Sequence, residues 1–293
     1  MSEPVRIVGQ SCACELHLRD CLDALADTTL LPDGSIDVVV TSPPYNLGIQ
    51  YSRYDDTISR NEYLDWLTEW AKLVRRVLAD DGSVFLNIGS KPRDPTVPFA
   101  VLERMQQSFT LQNTFHWIKS VSIPRDALDG ASTGEDADDE DVVVGHYKPI
   151  NSKRFVNDCH EYIFHLTKRG DVELDRLAIG VPYRDKSNVA RWKQGGAGVH
   201  CRGNVWFIPY STISNRDRHR PHPATFPPEL PQMCLRLHGT DRIRRVMDPF
   251  MGLGSTAVGC CRLGLDFVGF EIDSAYFDYA AHAVTETVST DTK

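Results

Sequence analysis

The stretch IRRVMDPFMGLGSTAVGCCRLGLDFVGF, residues 243–270, decides the fold. Ile243 to Met247 reads as a strand, and Gly252-Leu253-Gly254 as a tight turn. A helix spans Ser255 to Leu263, and Phe267 to Phe270 is a second strand. This β-α-β pattern suits a nucleotide-binding half-domain, in which glycines let the backbone approach a ligand at the strand's carboxyl end. Glu271 lies 23 positions after Asp248, near the ~20-residue offset at which an acid reaches ribose hydroxyls. A lone glycine pair also serves tight packing, so the unit has to be weighed with its surroundings.

Towards the amino terminus, Ile36 to Val40 is apolar except for Asp37 and follows the turn-forming Pro32-Asp33-Gly34, as a buried parallel strand would. Ser59 and Glu62 form a capping box, and Leu64, Leu67, Ala71, Val74 and Leu78 repeat at helical spacing until Asp80-Asp81-Gly82. Val84 to Ile88 reads as a second buried strand and Phe99 to Gln107 as a short helix. Thr114 to Lys119 and Glu161 to Thr167 read as two further strands. Gly130 to Asp141 holds six acids among small residues, with nothing to bury, and reads as a mobile loop.

Directly after the first buried strand stands Thr41-Ser42-Pro43-Pro44-Tyr45, and His222-Pro223-Ala224-Thr225-Phe226-Pro227 precedes Asp248-Pro249-Phe250-Met251-Gly252-Leu253-Gly254. These three motifs, in this order, resemble those of the amino-directed, S-adenosylmethionine-dependent DNA methyltransferases. Catalytic motif first, basic variable region next and cofactor motif last resembles the arrangement called the beta class. The resemblance implies an α/β, Rossmann-like methyltransferase fold: a mostly parallel seven-stranded sheet, circularly permuted, with an inserted target-recognition region. It divides the chain into a catalytic half (1–119), a basic target-recognition region (120–220, including core strand 161–167) and a cofactor-binding half (221–293).

The same resemblance implies that Ser42, Pro43, Pro44 and Tyr45 are catalytic. An exocyclic amine is a poor nucleophile because its lone pair is delocalised into the ring. The Pro43 carbonyl would accept from its N–H, and the Ser42 hydroxyl would contact the amine or the adjacent ring nitrogen, holding the lone pair toward the methyl donor. Tyr45 would stack on the flipped base. For S-adenosylmethionine, Thr41, Asp248, Pro249, Phe250, Gly252, Gly254 and Thr256 would line the methionine side. Glu271 would hold the ribose, Pro223 and Phe226 would pack nearby, and Asp20 would lie near the adenine. Asp20 has a second reading as a helix N-cap. Ser42 at the first motif position favours N4 of cytosine; N6 of adenine is the alternative.

Charge and composition bound these readings. The chain has 293 residues, 41% hydrophobic and 25% charged, and a net charge of −8, yet residues 142–245 carry 18 basic against 9 acidic side chains. A basic third suits phosphate contact, and double-stranded DNA is the expected partner. Lys148, Lys153, Arg154, Arg184, Lys186, Arg191, Lys193 and Arg202 are the candidate DNA contacts, in segments Ser120 to Asp158 and Lys168 to Arg220 that lack core periodicity. A cognate restriction endonuclease would share the recognition site without direct contact, and the protein would be a monomer or dimer. No run nears the ~20 apolar residues of a membrane span, and Met1 to Gln10 lacks a signal peptide's apolar centre, so a cytoplasmic protein with reduced cysteines is expected. The spacing of Cys12, Cys14, His17 and Cys21 fits no common zinc site, and no metal is expected. C5-cytosine methylation is disfavoured because no Pro-Cys dipeptide exists. Protein-glutamine methylation is disfavoured by motif order. A non-catalytic DNA-binding module would not need both intact motifs.

Overall fold

The computed structural model describes residues 3–49, 53–119, 121–123, 142–144, 152–156, 158–183, 198–208 and 225–290. Strands β1 (Val5–Val8) and β2 (Ala13–Leu18) form a hairpin, followed by α1 (Cys21–Ala26), β3 (Ile36–Thr41), α2 (Arg60–Val77), β4 (Leu78–Ile88), α3 (Val97–Met105) and β5 (Thr110–Ile118). Then come β6 (Val121–Ile123), β7 (Val142–Val144), β8 (His160–Thr167), β9 (Val181–Pro182), β10 (Val199–His200) and β11 (Val205–Phe207). The chain closes with α4 (Glu229–His238), β12 (Arg245–Asp248), α5 (Ser255–Cys261), β13 (Asp266–Glu271) and α6 (Ser274–Thr290). No helix among the described residues is long and apolar enough to cross a membrane.

Nine strands form one sheet in the order β1-β2-β13-β12-β3-β4-β8-β5-β11. The seven from β2 to β5 are the expected core, parallel except for β8, which runs antiparallel to both β4 and β5. Edge strands β1 and β11 extend it to nine. Helices cover both faces, so β3 is buried along its whole length and reads as an apolar run rather than an alternation. Val38 and Val40 pack in a cluster with residues of α4, α5 and α6, while Ile36 and Val39 pack with residues of α1, α2 and α3. β3 lies between β12 and β4. The chain therefore leaves the neighbouring carboxyl ends of β3 and β12 in opposite directions across the sheet, which opens a crevice there.

Several boundaries differ from the sequence expectation, each for a local reason. The capping box forms as predicted, Ser59 Oγ accepting from Glu62 N. α2, however, ends at Val77, and Asp80-Asp81-Gly82 lies inside β4, where the register to β3 jumps from Ile36↔Leu78 to Val38↔Ser83. The acids bulge out of a strand instead of ending a helix. α3 begins at Val97 because Pro98 fits a first helical turn. β5 begins at Thr110 because a register shift between Leu111 and Asn113 breaks the alternation. β12 begins at Arg245 because Thr240–Arg242 forms a 3-10 turn. The segment Lys168 to Arg220 is not free of core elements: Val172, Ile179, Trp206 and Ile208 are buried, and β11 pairs with β5. Trp206 stacks on Phe115 at 4.4 Å. Val205 to Ile208 is an apolar run of only four residues, too short to show a period, which is why the strand escaped the pattern. Gly130 to Asp141 lies outside the described residues.

Candidate functional site

Asp248, at the end of β12, ties the two sides of the crevice together. Its Oδ1 accepts from Thr41 Oγ1 at 2.6 Å and from Phe250 N at 3.1 Å, and its Oδ2 accepts from Thr256 Oγ1 at 2.8 Å. Thr41 ends β3 and Thr256 lies in the first turn of α5, so one carboxylate joins three elements. Burial pushes the Asp248 carboxyl up to about 6, against the lowering pull of the two hydroxyls and the amide.

The turn after β12 needs its glycines for two different reasons. Gly252 has φ +53°, and its N–H donates to Glu271 Oε2 at 2.8 Å. Gly254 has φ +83°, and a Cβ there would sit 3.0 Å from the Ala280 Cβ, so this position is required by packing against α6. The Glu271 Oε1 accepts from the amides of Ile272 and Asp273, and burial raises the Glu271 carboxyl. Asp20 caps α1, accepting from Leu22 N and Asp23 N, so the N-cap reading of this residue is present in the structure.

Between these elements lies an open cleft of about 1060 Å³, counting the space continuous with solvent. Of the residues singled out from sequence, Asp20, Ser42, Pro43, Pro44, Tyr45, Phe226, Asp248, Pro249, Phe250, Gly252 and Glu271 line it. Thr41 and Thr256 are fully buried behind the wall and act on it through Asp248. Gly254 stands behind it as well, while Pro223 lies outside the described residues. Sequence reasoning missed Arg53, Tyr54, Trp66, Ile272 and Tyr276, which also line the cleft. Trp66 and Trp70 flank Phe250, with ring centroids at 5.6 and 5.5 Å. Their four-residue separation along α2 was the available signal, beside the stripe Leu64, Leu67, Ala71, Val74 and Leu78 that reads as core. Aromatic walls, a backbone turn open to a ligand and the carboxylates of Asp20 and Glu271 suit an adenosine bearing hydroxyls and a cationic sulfonium.

At the opposite end of the cleft, the Pro44 carbonyl accepts from Tyr63 Oη at 2.7 Å, pinning the loop to α2. Beyond it, the carboxylate of buried Asp56 accepts from the amides of Asn46, Leu47 and Ile49. Tyr45 lines the cleft, but its ring is largely buried and its hydroxyl is engaged. That hydroxyl lies 2.6 Å from Ser42 Oγ and 3.1 Å from both Asn87 Oδ1 and Glu161 Oε2. Lys119 Nζ in turn pairs with Glu161 Oε1.

The basic candidates are only partly described. Lys153 and Arg154 are exposed in a turn where Ser152 Oγ accepts from Arg154 N. Arg202 donates from Nε to the Ile179 carbonyl at 2.9 Å, which gives it a structural tie. Lys148, Arg184, Lys186, Arg191 and Lys193 lie outside the described residues. Of the four amino-terminal candidates, Cys12 and Cys14 gather with the distant Cys261, their three sulfurs within 4.8 Å of one another. The hydrogen bond with Cys261 and burial raise the Cys14 thiol, as in a packed core.

The sequence profile of the N6/N4 DNA methylase family matches residues 36–282. The type II methyltransferase M.HpaI of Haemophilus parainfluenzae is 26% identical over 261 residues, covering 89% of this chain and 71% of its own. The DNA adenine methyltransferase YhdJ of Escherichia coli K12 is 26% identical over 279 residues, covering 91% and 84%. Among solved structures, the cytosine-N4-specific PvuII DNA methyltransferase superposes with a TM-score of 0.65 at 20% identity, covering 94% of this chain and 90% of that one. A DNA modification methylase described as putative from Thermus thermophilus, in complex with S-adenosyl-L-methionine, superposes with a TM-score of 0.58 at 21% identity, covering 93% of each chain.

Proposed function

We propose, from the premise that this chain belongs to the N6/N4 DNA methylase family and uses S-adenosylmethionine, that it methylates N4 of cytosine in duplex DNA. One observation carries the reading: Ser42-Pro43-Pro44-Tyr45 and the Gly252 turn with Glu271 line one cleft at the neighbouring carboxyl ends of β3 and β12. When bound, S-adenosylmethionine supplies an electrophilic methyl group. Glu271, Asp20 and the Gly252 backbone would hold it on one side, with Asp248 fixing the turn from behind. Pro43 and Ser42 would take the amine of a base swung out of the duplex, since the target atom is inaccessible in the stack. Tyr45 would offer the flipped base its ring while its hydroxyl stays anchored.

Cytosine is favoured over adenine by serine at the first motif position. The likeness to the PvuII enzyme concerns the fold, and YhdJ, an adenine enzyme by name, supports the alternative equally well. The segment 120–220 would supply sequence recognition and phosphate contact, apart from the sheet strands β8 and β11 within it. Lys148, Lys153, Arg154, Arg184, Lys186, Arg191, Lys193 and Arg202 are its candidate contacts. A shared recognition site with a restriction endonuclease belongs to the same reading.

The test is chemical. Unmethylated genomic DNA is incubated with the protein and labelled S-adenosylmethionine, digested to nucleosides and separated by mass. N4-methyldeoxycytidine is the expected product. N6-methyldeoxyadenosine would move the assignment to the other base, and the absence of both would end the reading.

A further inference from the structure

Resting on the amine-methylating reading above, we propose that Glu161, anchored by Lys119 and acting through Tyr45, is a positioning residue. It holds the Ser42 hydroxyl as a hydrogen-bond acceptor for the target amine. Which way the hydrogens point around Tyr45 decides the matter. Asn87 Nδ2 donates to the Tyr162 carbonyl at 3.2 Å, so Asn87 presents its Oδ1 to the Tyr45 hydroxyl. Glu161 presents a carboxylate oxygen at the same 3.1 Å. Neither group can donate, so the phenolic proton of Tyr45 points toward them. Ser42, at 2.6 Å, is then the member of the trio that donates to Tyr45.

Once its own proton is committed, Ser42 Oγ turns only lone pairs toward the cleft. It can accept from an amine N–H but cannot donate to a ring nitrogen, which resolves the two contacts the sequence left open. Glu161 sits on β8, Tyr45 beyond β3 and Lys119 just past β5, so the chain of contacts spans three elements. The fit is tight. A Cβ at Gly89 would lie 2.9 Å from both Glu161 Oε1 and the Tyr45 ring, so a glycine at the end of β4 leaves room for the contact. An anionic acceptor also strengthens the hydrogen bond it receives, which makes the orientation costly to reverse.

The experiment reads equilibrium binding as well as turnover. Once the methylated site has been mapped by sequencing, two duplexes are compared in the presence of S-adenosylhomocysteine. One carries the natural target base and the other its deaminated form, uracil for cytosine or hypoxanthine for adenine. Deamination replaces the donating amine with an accepting carbonyl and turns the adjacent ring nitrogen from an acceptor into an N–H donor. The cost of opening the altered pair is common to all protein variants and cancels in the ratio of affinities. In Glu161→Gln the preference for the amine is expected to fall by about tenfold or more relative to wild type, because Ser42 is released to donate. Tyr45→Phe, which removes only the relaying hydroxyl, should lose the same preference, and the double variant should be no worse than either single one.

An unchanged preference in folded Glu161→Gln overturns the proposal, as does strictly additive behaviour. If Glu161→Gln fails to fold, the Tyr45→Phe result decides: retained preference overturns the proposal and lost preference upholds it. Wild-type protein that transfers no methyl group to DNA would end the underlying reading and this inference together. Wild-type transfer with an unmoved ratio would remove this inference alone.

Discussion

Asp248 carries two duties that a single substitution can separate. Its carboxylate is a structural joint, and its charge faces the cleft proposed for a cationic cofactor. In Asp248→Asn the amide oxygen still accepts from Thr41 and Phe250, while the amide nitrogen can donate to Thr256 Oγ1, whose proton turns from the lost carboxylate to the Val40 carbonyl 3.3 Å away. Stability at pH 7 should therefore change by no more than about 1 kcal/mol, since burying the charge is itself unfavourable. Cofactor affinity should fall by roughly 10–100-fold, the worth of a charge-assisted contact of about 1.5–3 kcal/mol. Calorimetry with S-adenosylmethionine, which carries the sulfonium charge, and a denaturant titration separate the two, and unchanged affinity would reduce Asp248 to a joint. Gly252→Val forces a branched side chain into φ +53° at the cleft wall and should lose cofactor binding. The two glycines of the turn looked alike in the sequence. Only the packing of Ala280 against Gly254 tells them apart, and that contact joins the turn to a helix far along the chain.

At the scale of elements, Asp37 shows what an apolar pattern hides. It interrupts β3 as the one charge, and its carboxylate accepts from the backbone amides of Arg244 and Arg245 at 2.7 and 2.9 Å, docking the entrance of β12 beside β3. Removing a buried acceptor leaves two amides unpaired, so Asp37→Ala should cost about 2–4 kcal/mol. Arg244 also contacts Asp37 at 3.0 Å, but its side chain is 82% exposed, so Arg244→Ala should change stability by less than about 1 kcal/mol. Urea unfolding of both variants checks the contrast, and equal losses would mean that the exposed ion pair, not the amides, holds the strands together. Element type was legible wherever one periodicity ran uninterrupted, as in α2 and β3. It was not legible where a bulge split the register, as at Gln112 in β5, or where only a few residues enter the sheet, as in β11.

For the whole molecule, Ser42 to Tyr45 and Asp248 to Gly254 placed both halves of the cleft on the sequence, because each begins at the end of a strand. The missing residues, Trp66, Tyr54, Tyr276 and the Asn87–Glu161 pair, come from other elements whose approach only the tertiary fold produces. The fold also sets a pH response. His165 and His238 are joined through Ser83 Oγ at 2.9 and 3.0 Å, and burial lowers them to about 3 and about 4. Their folded values lie below the unfolded one, so the unfolded chain binds protons first, and stability is lost as pH falls below about 6.5. Between pH 6.5 and 5 each histidine should cost about 1.6 kcal/mol. Asp248 works in the opposite sense. Its folded value of about 6 lies above the unfolded one, so it returns about 1.2 kcal/mol between pH 6.5 and 5. A net loss of about 2 kcal/mol should lower the thermal midpoint by roughly 4–8 °C from pH 6.5 to pH 5. A midpoint that rises would contradict the buried neutral histidines.

The central claim is that the serine-proline loop after β3 and the glycine turn after β12 form one site. The most direct measurement is a crystal structure with S-adenosylhomocysteine. The expected density runs along the Gly252 turn, with the ribose beside Glu271 and the sulfur facing Ser42 to Tyr45. Density in another part of the molecule, or in this cleft with the sulfur turned away from Ser42, would contradict the account.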